Sequence, residues 1–404
     1  MLDRAHFEAL DEDDPLAYVA GRFVLPEGIV YLDGNSLGPL PAPVPATTAR
    51  MVEQQWGEGL IRSWNDNGWW DLARRVGRRI APLLGAPPDS VIAGDTTSVA
   101  LYKAVSAARR LVPDRSVILT DRGNFPTDLY VLDSVAEQTG GTLEMVAPAA
   151  IEERLADDVA VLALTHVDYR SGRRHPLAEL TEAAHGVGAL AVWDLSHSVG
   201  AMNLDVSDAD MAVGCGYKYL NGGPGAPAFT YVNPRHHGKF DNPIHGWWGH
   251  ADPFAMNLSF RAAEGIGRVQ VGTQPIISLA ALYAALEVFD DVDPKALRTK
   301  SERLVDGFIT LVDQQLEGFE VVTPRSPEER GSHVSLSHPQ AADIMAALIA
   351  RGVIGDVRPP DLLRFGLAPA YLRYVDVWDC VDGIRQVMEE EGWKRARARS
   401  GPVT

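Results

Sequence analysis

Two residues near the middle of the chain have types and settings suited to covalent chemistry. Asp194 closes the apolar run Ala191-Val192-Trp193, and Lys218 closes Met211-Ala212-Val213-Gly214-Cys215-Gly216-Tyr217. Apolar runs bounded by turn signals read as buried parallel strands, and reactive groups of open α/β sheets sit just past the carboxyl ends of such strands. A carboxylate and an amine at neighbouring strand ends suit the two ends of pyridoxal phosphate (PLP), its pyridine nitrogen and its aldehyde. Buried Asp194 would keep that nitrogen protonated, so that the ring accepts electrons from a substrate carbanion. Lys218 would bond to the aldehyde and, once displaced by substrate, shuttle a proton. Tyr217 stands beside it, and the glycines of Gly214-Cys215-Gly216 allow close backbone approach. Two such residues suit an ion pair at a loop equally well, so the remaining sequence has to decide.

Several other segments bear on that choice. Gly94-Asp95-Thr96-Thr97-Ser98-Val99 precedes a strong helical stretch. A helix N-terminus there offers free N–H groups and hydroxyls to a phosphate, or simply an N-cap. Phe125-Pro126-Thr127-Asp128 follows an apolar run, placing a phenyl ring where it can lie against a flat cofactor or pack beside a capped helix. Thr165-His166 lies past another strand end. No cysteine or second histidine stands at ligand spacing, so no metal site is expected. Arg364 is the single charge in Leu362-Leu363-Arg364-Phe365-Gly366-Leu367, suited either to a bidentate grip on a carboxylate or to an ion pair along a strand.

The elements that must position these residues follow from periodicity. Short apolar runs at 116–120, 143–147, 159–165, 189–194, 210–215 and 226–231 are interleaved with helical stretches at 99–111, 128–139 and 177–186. Such alternation predicts an α/β fold with a mainly parallel sheet and right-handed crossovers. Residues 46–84 have helical spacing and carry Trp56, Trp64, Trp69 and Trp70, expected in core or interface packing. Residues 275–315 read as long helix. Strands at 319–323, 332–337, 356–358 and 362–367, with helices at 341–351 and 375–391, predict a small α+β domain. The tail 394–399 is basic and expected to be frayed. Neither a glycine-rich dinucleotide fingerprint nor a P-loop is present. Three parts are expected: an N-terminal segment, 1–50, packing with the small domain; a large domain, 51–285; and the small domain, 286–404.

Composition removes other classes of function. The 404 residues carry 37 basic and 54 acidic side chains, a net charge of −17, which disfavours nucleic acid and anionic membranes as partners. Cys215 and Cys380 are the only cysteines, too few for a disulfide framework. No apolar run reaches the ~18 residues that span a bilayer, and the expected location is cytoplasmic.

Taken in order, Tyr31-Leu32-Asp33-Gly34-Asn35-Ser36-Leu37-Gly38, Phe125-Pro126-Thr127-Asp128, Trp193-Asp194-Leu195-Ser196-His197, Tyr217-Lys218-Tyr219-Leu220-Asn221 and Gly246-Trp247-Trp248-Gly249-His250 resemble the kynureninases, PLP enzymes of the aspartate-aminotransferase-like fold. The resemblance spans about residues 20–390. It implies a seven-stranded, mainly parallel sheet, a homodimer with shared sites, and hydrolysis of L-kynurenine, with weaker action on 3-hydroxykynurenine, in tryptophan catabolism. It also implies roles. Thr97, Ser98 and Tyr217 would hold the cofactor phosphate. Phe125 would stack on the ring, with Pro126, Thr127, Asp128 and Thr165 near it. Asp194 and His197 would flank the pyridine, and Lys218 would carry the covalent link. Trp247 and Thr273 would reach the cofactor, Arg364 would bind the substrate α-carboxylate, and Ser36, Trp64, Trp247 and Thr273 would line the substrate. Relatives that favour the hydroxylated substrate carry His and Asn where this chain has Trp64 and Thr273, which implies a preference for L-kynurenine. The rival readings are a related aminotransferase or cysteine desulfurase, and a non-enzymatic PLP-binding regulator. A desulfurase needs a cysteine on a mobile loop, whereas Cys215 falls in a buried-looking strand and Cys380 in the last helix. A regulator of transcription would carry a basic module that is missing here.

Overall fold

Seven apolar, mostly β-branched runs build the central sheet: β1 (Val91–Ala93), β2 (Val117–Asp121), β3 (Thr142–Val146), β4 (Val159–Thr165), β5 (Leu190–Asp194), β6 (Met211–Gly214) and β7 (Phe229–Val232). The computed structural model that defines them describes residues 2–396. The strand order is β1-β7-β6-β5-β4-β2-β3, parallel throughout except for β7, which runs antiparallel to both β1 and β6. Every residue of β1, β2, β4, β6 and β7 is buried, and only the edge strand β3 is largely accessible. Burial on both faces explains why these runs are continuously apolar rather than alternating.

Helices frame two sheets. The first set comprises α2 (Leu72–Ile80), α3 (Thr97–Leu111), α4 (Pro126–Gln138), α5 (Leu177–Gly186) and α6 (Ile276–Ala285). The second comprises α1 (Arg4–Glu12), α7 (Pro294–Gln315), α8 (Ala341–Ile349) and α9 (Tyr374–Glu389). The smaller sheet is antiparallel, with β8 (Glu320–Val321), β9 (His333–Ser337), β10 (Asp356–Arg358) and β11 (Leu362–Gly366) in the order β8-β9-β11-β10. The N-terminal segment is stitched to this side of the molecule. Val30–Tyr31 pairs in parallel with Val353–Ile354, and Gly366 N–H donates to Leu32 at 2.6 Å. Phe7 of α1 packs on Trp378 of α9, ring centroids 6.3 Å apart.

Four sequence expectations differ from what is seen. Strand β1 is absent from the periodic pattern, because three residues after Pro87-Pro88 are too few to register. The stretch 275–315 is not one helix: α6 runs into a 3₁₀ turn at Leu286–Phe289, and α7 starts afresh at Pro294 behind the cap Asp293, which accepts from Lys295 N–H at 2.9 Å. Proline has no N–H to continue a helix but suits its first turn. The stretch 46–84 is likewise broken, with a helix at Val44–Arg50, a π-helical turn at Met51–Trp56 and short pieces before α2; Gly68 has φ 65 in the interruption. Of the basic tail, Lys394 ends a 3₁₀ turn, Gly392–Lys394, and the neighbouring Trp393 packs on the core; residues 397–399 lie outside the described residues.

Helix α2 lies directly on β1, and Gly77 is the contact. A Cβ at Gly77 would collide with the carbonyl oxygen of Val91 and come within 2.9 Å of the Ile92 Cα. Backbone cannot swing aside as a side chain can. Gly77→Ala is therefore expected to destabilise the chain by about 1–3 kcal/mol despite alanine's better helix propensity, read as a lower urea midpoint at unchanged m-value.

Candidate active site

The sheet order places the carboxyl ends of β4, β5 and β6 side by side, and the site is built from the residues at and just beyond each of these ends. Asp194 ends β5 and is buried; its Oδ1 accepts from Ser196 N–H at 2.7 Å. Asp128, in the first turn of α4, is buried against it. Thr165 at the end of β4 donates from Oγ1 to Asp128 Oδ2 at 3.1 Å, and also bonds to Asn124 Oδ1. Burial, and then the charge of Asp194, push the Asp128 carboxyl well above the usual carboxylate range, while Lys218 acts in the opposite sense. Asp128 therefore holds its proton, since two adjacent buried carboxyls do not both ionise readily.

Lys218 follows β6, and its Nζ lies 3.1 Å from His197 Nε2. His197 is buried. Burial first, and then the nearby Lys218, push its imidazole well below its ordinary range, so the ring is neutral. Tyr217 is half-buried, and burial raises its hydroxyl so that it keeps its proton. The loop is locked from the N-terminal side. Gly38 N–H donates to the Tyr217 carbonyl at 2.8 Å, and a Cβ on Gly38 would strike the Lys218 carbonyl and Asn221.

On one flank, Thr96 caps α3 by accepting from Val99 N–H at 3.4 Å, which leaves the N–H groups of Thr97 and Ser98 without an intrahelical partner. Opposite, Phe125 is 40 % exposed and meets Tyr169 edge to face at 5.1 Å; Pro126 and Thr127 begin α4 behind it.

On the other flank, Arg364 of β11 is 1 % exposed, and the carboxylate it grips in bidentate fashion is that of Asp356 in the same sheet. Its Nη1 donates to the Tyr169 carbonyl at 2.7 Å and its Nη2 to Ser36 Oγ at 2.9 Å; Ser36 donates to Asp356 Oδ2 at 2.9 Å. Four of five guanidinium hydrogens are thus committed, and one on Nη1 is left. Arg358 Nη2 also reaches Asp356 Oδ2, at 2.6 Å, while its Nε is buried without a partner.

Most of the expected residues converge. Thr165, Asp128, Asp194, His197, Tyr217 and Lys218 form one group, and Ser36 joins Arg364 through Asp356. Trp64 and Trp247 stand in a separate aromatic cluster: Trp64 meets Trp248 at 5.3 Å, and Trp70 stacks on Trp248 at 4.3 Å and meets Trp247 at 5.9 Å. Thr273 is exposed, on the segment whose Gln274 covers Gly94. No hydrogen bond ties these three to Lys218 among the described residues. Asp356 and Arg358 are additions that the sequence does not announce. Their one signal is a pair of opposite charges two apart on a short strand, but the cross-strand partnership of Asp356 with Arg364 depends on register. Asn124 carries no signal. No group of three or more His, Cys, Asp or Glu among the described residues is placed to hold a metal. Cys215, one residue past β6, and Cys380, within α9, are both buried and unpaired.

Known proteins resemble this chain along nearly its whole length. A family model for the kynureninase C-terminal domain matches residues 297–384. The kynureninase of Burkholderia mallei (strain SAVP1) is 47 % identical over 405 residues, covering 98 % of this chain and 97 % of the relative. This chain belongs to the kynureninase family. The kynureninase of Pseudomonas fluorescens is 46 % identical, with 96 % of each chain covered. Among solved structures, a cysteine desulfurase from Thermococcus onnurineus NA1 superposes with TM-score 0.77 at 18 % identity, covering 93 % of this chain and 98 % of that one. The Escherichia coli cysteine desulfurase CsdA gives 0.78 at 19 %, with the same coverage. The kynureninase-family chain therefore has the α/β fold of these enzymes, with the seven-stranded, mainly parallel sheet expected of it.

Asp33 adds a pH dependence. Burial, and then the charge of Asp356, push its carboxyl up to about 7. The folded chain then holds a proton that the unfolded chain loses near pH 4, so between about pH 4 and 7 stability falls as pH rises; below pH 4 both states carry the proton and the term vanishes. Asp33→Asn is expected to remove this decline, giving a higher melting temperature than the parent at pH 8 and no difference from it below pH 4.

Proposed function

We propose that this site carries out hydrolytic Cβ–Cγ cleavage of L-kynurenine to anthranilate and L-alanine, with pyridoxal phosphate as cofactor. The observation that carries the reading is Lys218 Nζ beside a neutral His197, across from the Asp128–Asp194 carboxyl pair, in a chain of the kynureninase family. The donor set fits the cofactor: free N–H groups at the start of α3 for a phosphate, a phenyl face at Phe125, a buried carboxylate for a pyridinium and an amine for an aldehyde. A mutant C-DES structure with glycine linked to its PLP cofactor has TM-score 0.76 to this chain. Bound pyridoxal phosphate supplies the electron sink for the substrate's α-carbanion.

The chain's own groups do the rest. Lys218 Nζ takes the α-proton and returns it, helped by His197, which stays neutral and so does not compete as a cation. Protonated Asp128 lets Asp194 keep its single charge for the ring nitrogen. Tyr217 keeps its proton and orients the hydrolytic water toward the γ-carbonyl. The substrate α-carboxylate meets the remaining Nη1 hydrogen of Arg364, whose guanidinium Ser36 and Asp356 hold in place, and Arg358 lends its charge from behind. Trp64, Trp247 and Thr273 line the aryl end and favour L-kynurenine over the 3-hydroxy compound.

The same reading explains an exposed apolar surface. Trp247 is 41 % exposed, Phe254 68 % and Met256 74 %, with Trp56, Leu60 and Ile61 exposed as well. Exposed apolar side chains in such number mark an interaction face. A second copy of the chain covering it would bring its own Trp247 and Thr273 to the neighbouring Lys218, making a homodimer with shared sites.

With L-kynurenine, the purified protein plus pyridoxal phosphate is expected to release fluorescent anthranilate and alanine in equal amounts, and Lys218→Ala to lose turnover by ~10⁴-fold or more along with the visible absorbance of bound cofactor. Pyruvate-dependent transamination in place of anthranilate would refute the reading. In that assay a Trp64→His, Thr273→Asn variant is expected to shift kcat/KM toward 3-hydroxykynurenine. Sedimentation is expected to give a dimer that Phe254→Asp with Met256→Asp converts to monomers, with activity lost in parallel.

A further inference from the structure

Lys103 is a charged residue inside α3 that the reaction does not use. It is 2 % exposed, and its Nζ donates to the carboxylate of Asp95 and to the Val269 carbonyl at 2.6 Å. Asp95 immediately precedes the cap Thr96 and has φ 57, a left-handed backbone unusual for a residue other than glycine. That loop is pinned on its other side, where Gly94 N–H donates to the Ala228 carbonyl at 2.8 Å and Ala228 N–H to Asp95 at 3.1 Å. Val269 O also accepts from Asn242 Nδ2 at 3.0 Å, and the segment after it carries Thr273. A carboxylate next to an anion-binding helix end has the wrong sign for a phosphate dianion. Among the described residues, Lys103, reaching up from within the helix, is the cation that pairs with it.

We propose that Lys103 is a positioning residue for the cofactor phosphate, cancelling the charge of Asp95 and clamping the loop before α3 to the 269–274 segment so that Thr97 and Ser98 present their N–H groups to the dianion. This rests on the phosphate lying at Thr97 and Ser98. Burial lowers the Lys103 ammonium's affinity for its proton and the adjoining Asp95 offsets part of that loss; the ion pair puts the two opposite charges side by side. Losing the lysine leaves a half-accessible carboxylate facing the phosphate; losing both charges does not.

The test measures cofactor affinity, by dialysing holoenzyme and re-adding either pyridoxal phosphate or pyridoxal, which lacks the phosphate. Lys103→Met is expected to weaken pyridoxal phosphate by about tenfold while leaving pyridoxal within about twofold and shifting the ³¹P resonance of bound cofactor. Asp95→Asn with Lys103→Met is expected to return to within about threefold of the parent; it leaves no bare carboxylate, so it also serves if Lys103→Met alone does not fold. Equal losses for both ligands, or a double variant as weak as the single, would mean a merely structural lysine and overturn the proposal. Thr97→Pro, which removes one free N–H at the first helical position, behind the extended Thr96, where proline is tolerated, separates the underlying reading. If Thr97→Pro binds pyridoxal phosphate like the parent, the phosphate placement fails and the proposal with it. If Thr97→Pro is weakened and Lys103→Met is not, only the role of Lys103 fails.

Discussion

Two carboxyl groups, Asp128 and Asp194, are buried face to face at the end of the central sheet, and the rest of the site is arranged around that constraint. Removed from water, the pair cannot carry two charges without a cation. Thr165 hydrogen-bonds Asp128, the Ser196 N–H holds Asp194, and Lys218 is the cation within range. The result is a proton held at a fixed address, Asp128. The address comes from topology: β4, β5 and β6 are neighbours in the sheet, and α4 begins with the carboxyl that faces β5.

Other buried cations are treated in the same way. Arg364 is matched by Asp356 and Lys103 by Asp95, each with further hydrogen bonds to backbone carbonyls. Such pairs seldom add net stability, because desolvation cancels much of their attraction; what they add is geometry. Here each pair sits at a junction between segments distant in sequence. Arg364 and Asp356 join the small sheet to Tyr169 in the turn after β4 and to Ser36 of the N-terminal segment. Lys103 joins α3 to residue 269. The small sheet is therefore tied to the end of β4 and to the N-terminal segment through Arg364.

Much of the fold is legible in the sequence because its causes are local. The run 159–165 and the helical stretch 177–186 have the same bounds in the periodic pattern and in the structure. A buried parallel strand has to be apolar along its whole length, and a surface helix carries its stripe in the spacing of neighbours. The pattern misleads where a second cause overrides that signal. Apolar helical spacing continues across 286–293, yet Pro294 with its cap Asp293 restarts the chain. Trp64, Trp69 and Trp70 read as packing residues, which they are, but the cluster also includes Trp247 and Trp248 from nearly two hundred residues away.

The sequence by itself determined which chemistry was available: an amine and a carboxylate after two apolar runs, a cap rich in hydroxyls, and one guanidinium in an apolar strand. Those come from residue type and short-range spacing. Only the tertiary structure decided the states of these groups. Which carboxyl keeps the proton, that His197 is neutral, and that Arg364 is already held by Asp356 all depend on burial and on partners brought in by strand order and register. Electrostatic energies change steeply with distance and solvent exposure, and neither is written in the spacing of residues along the chain.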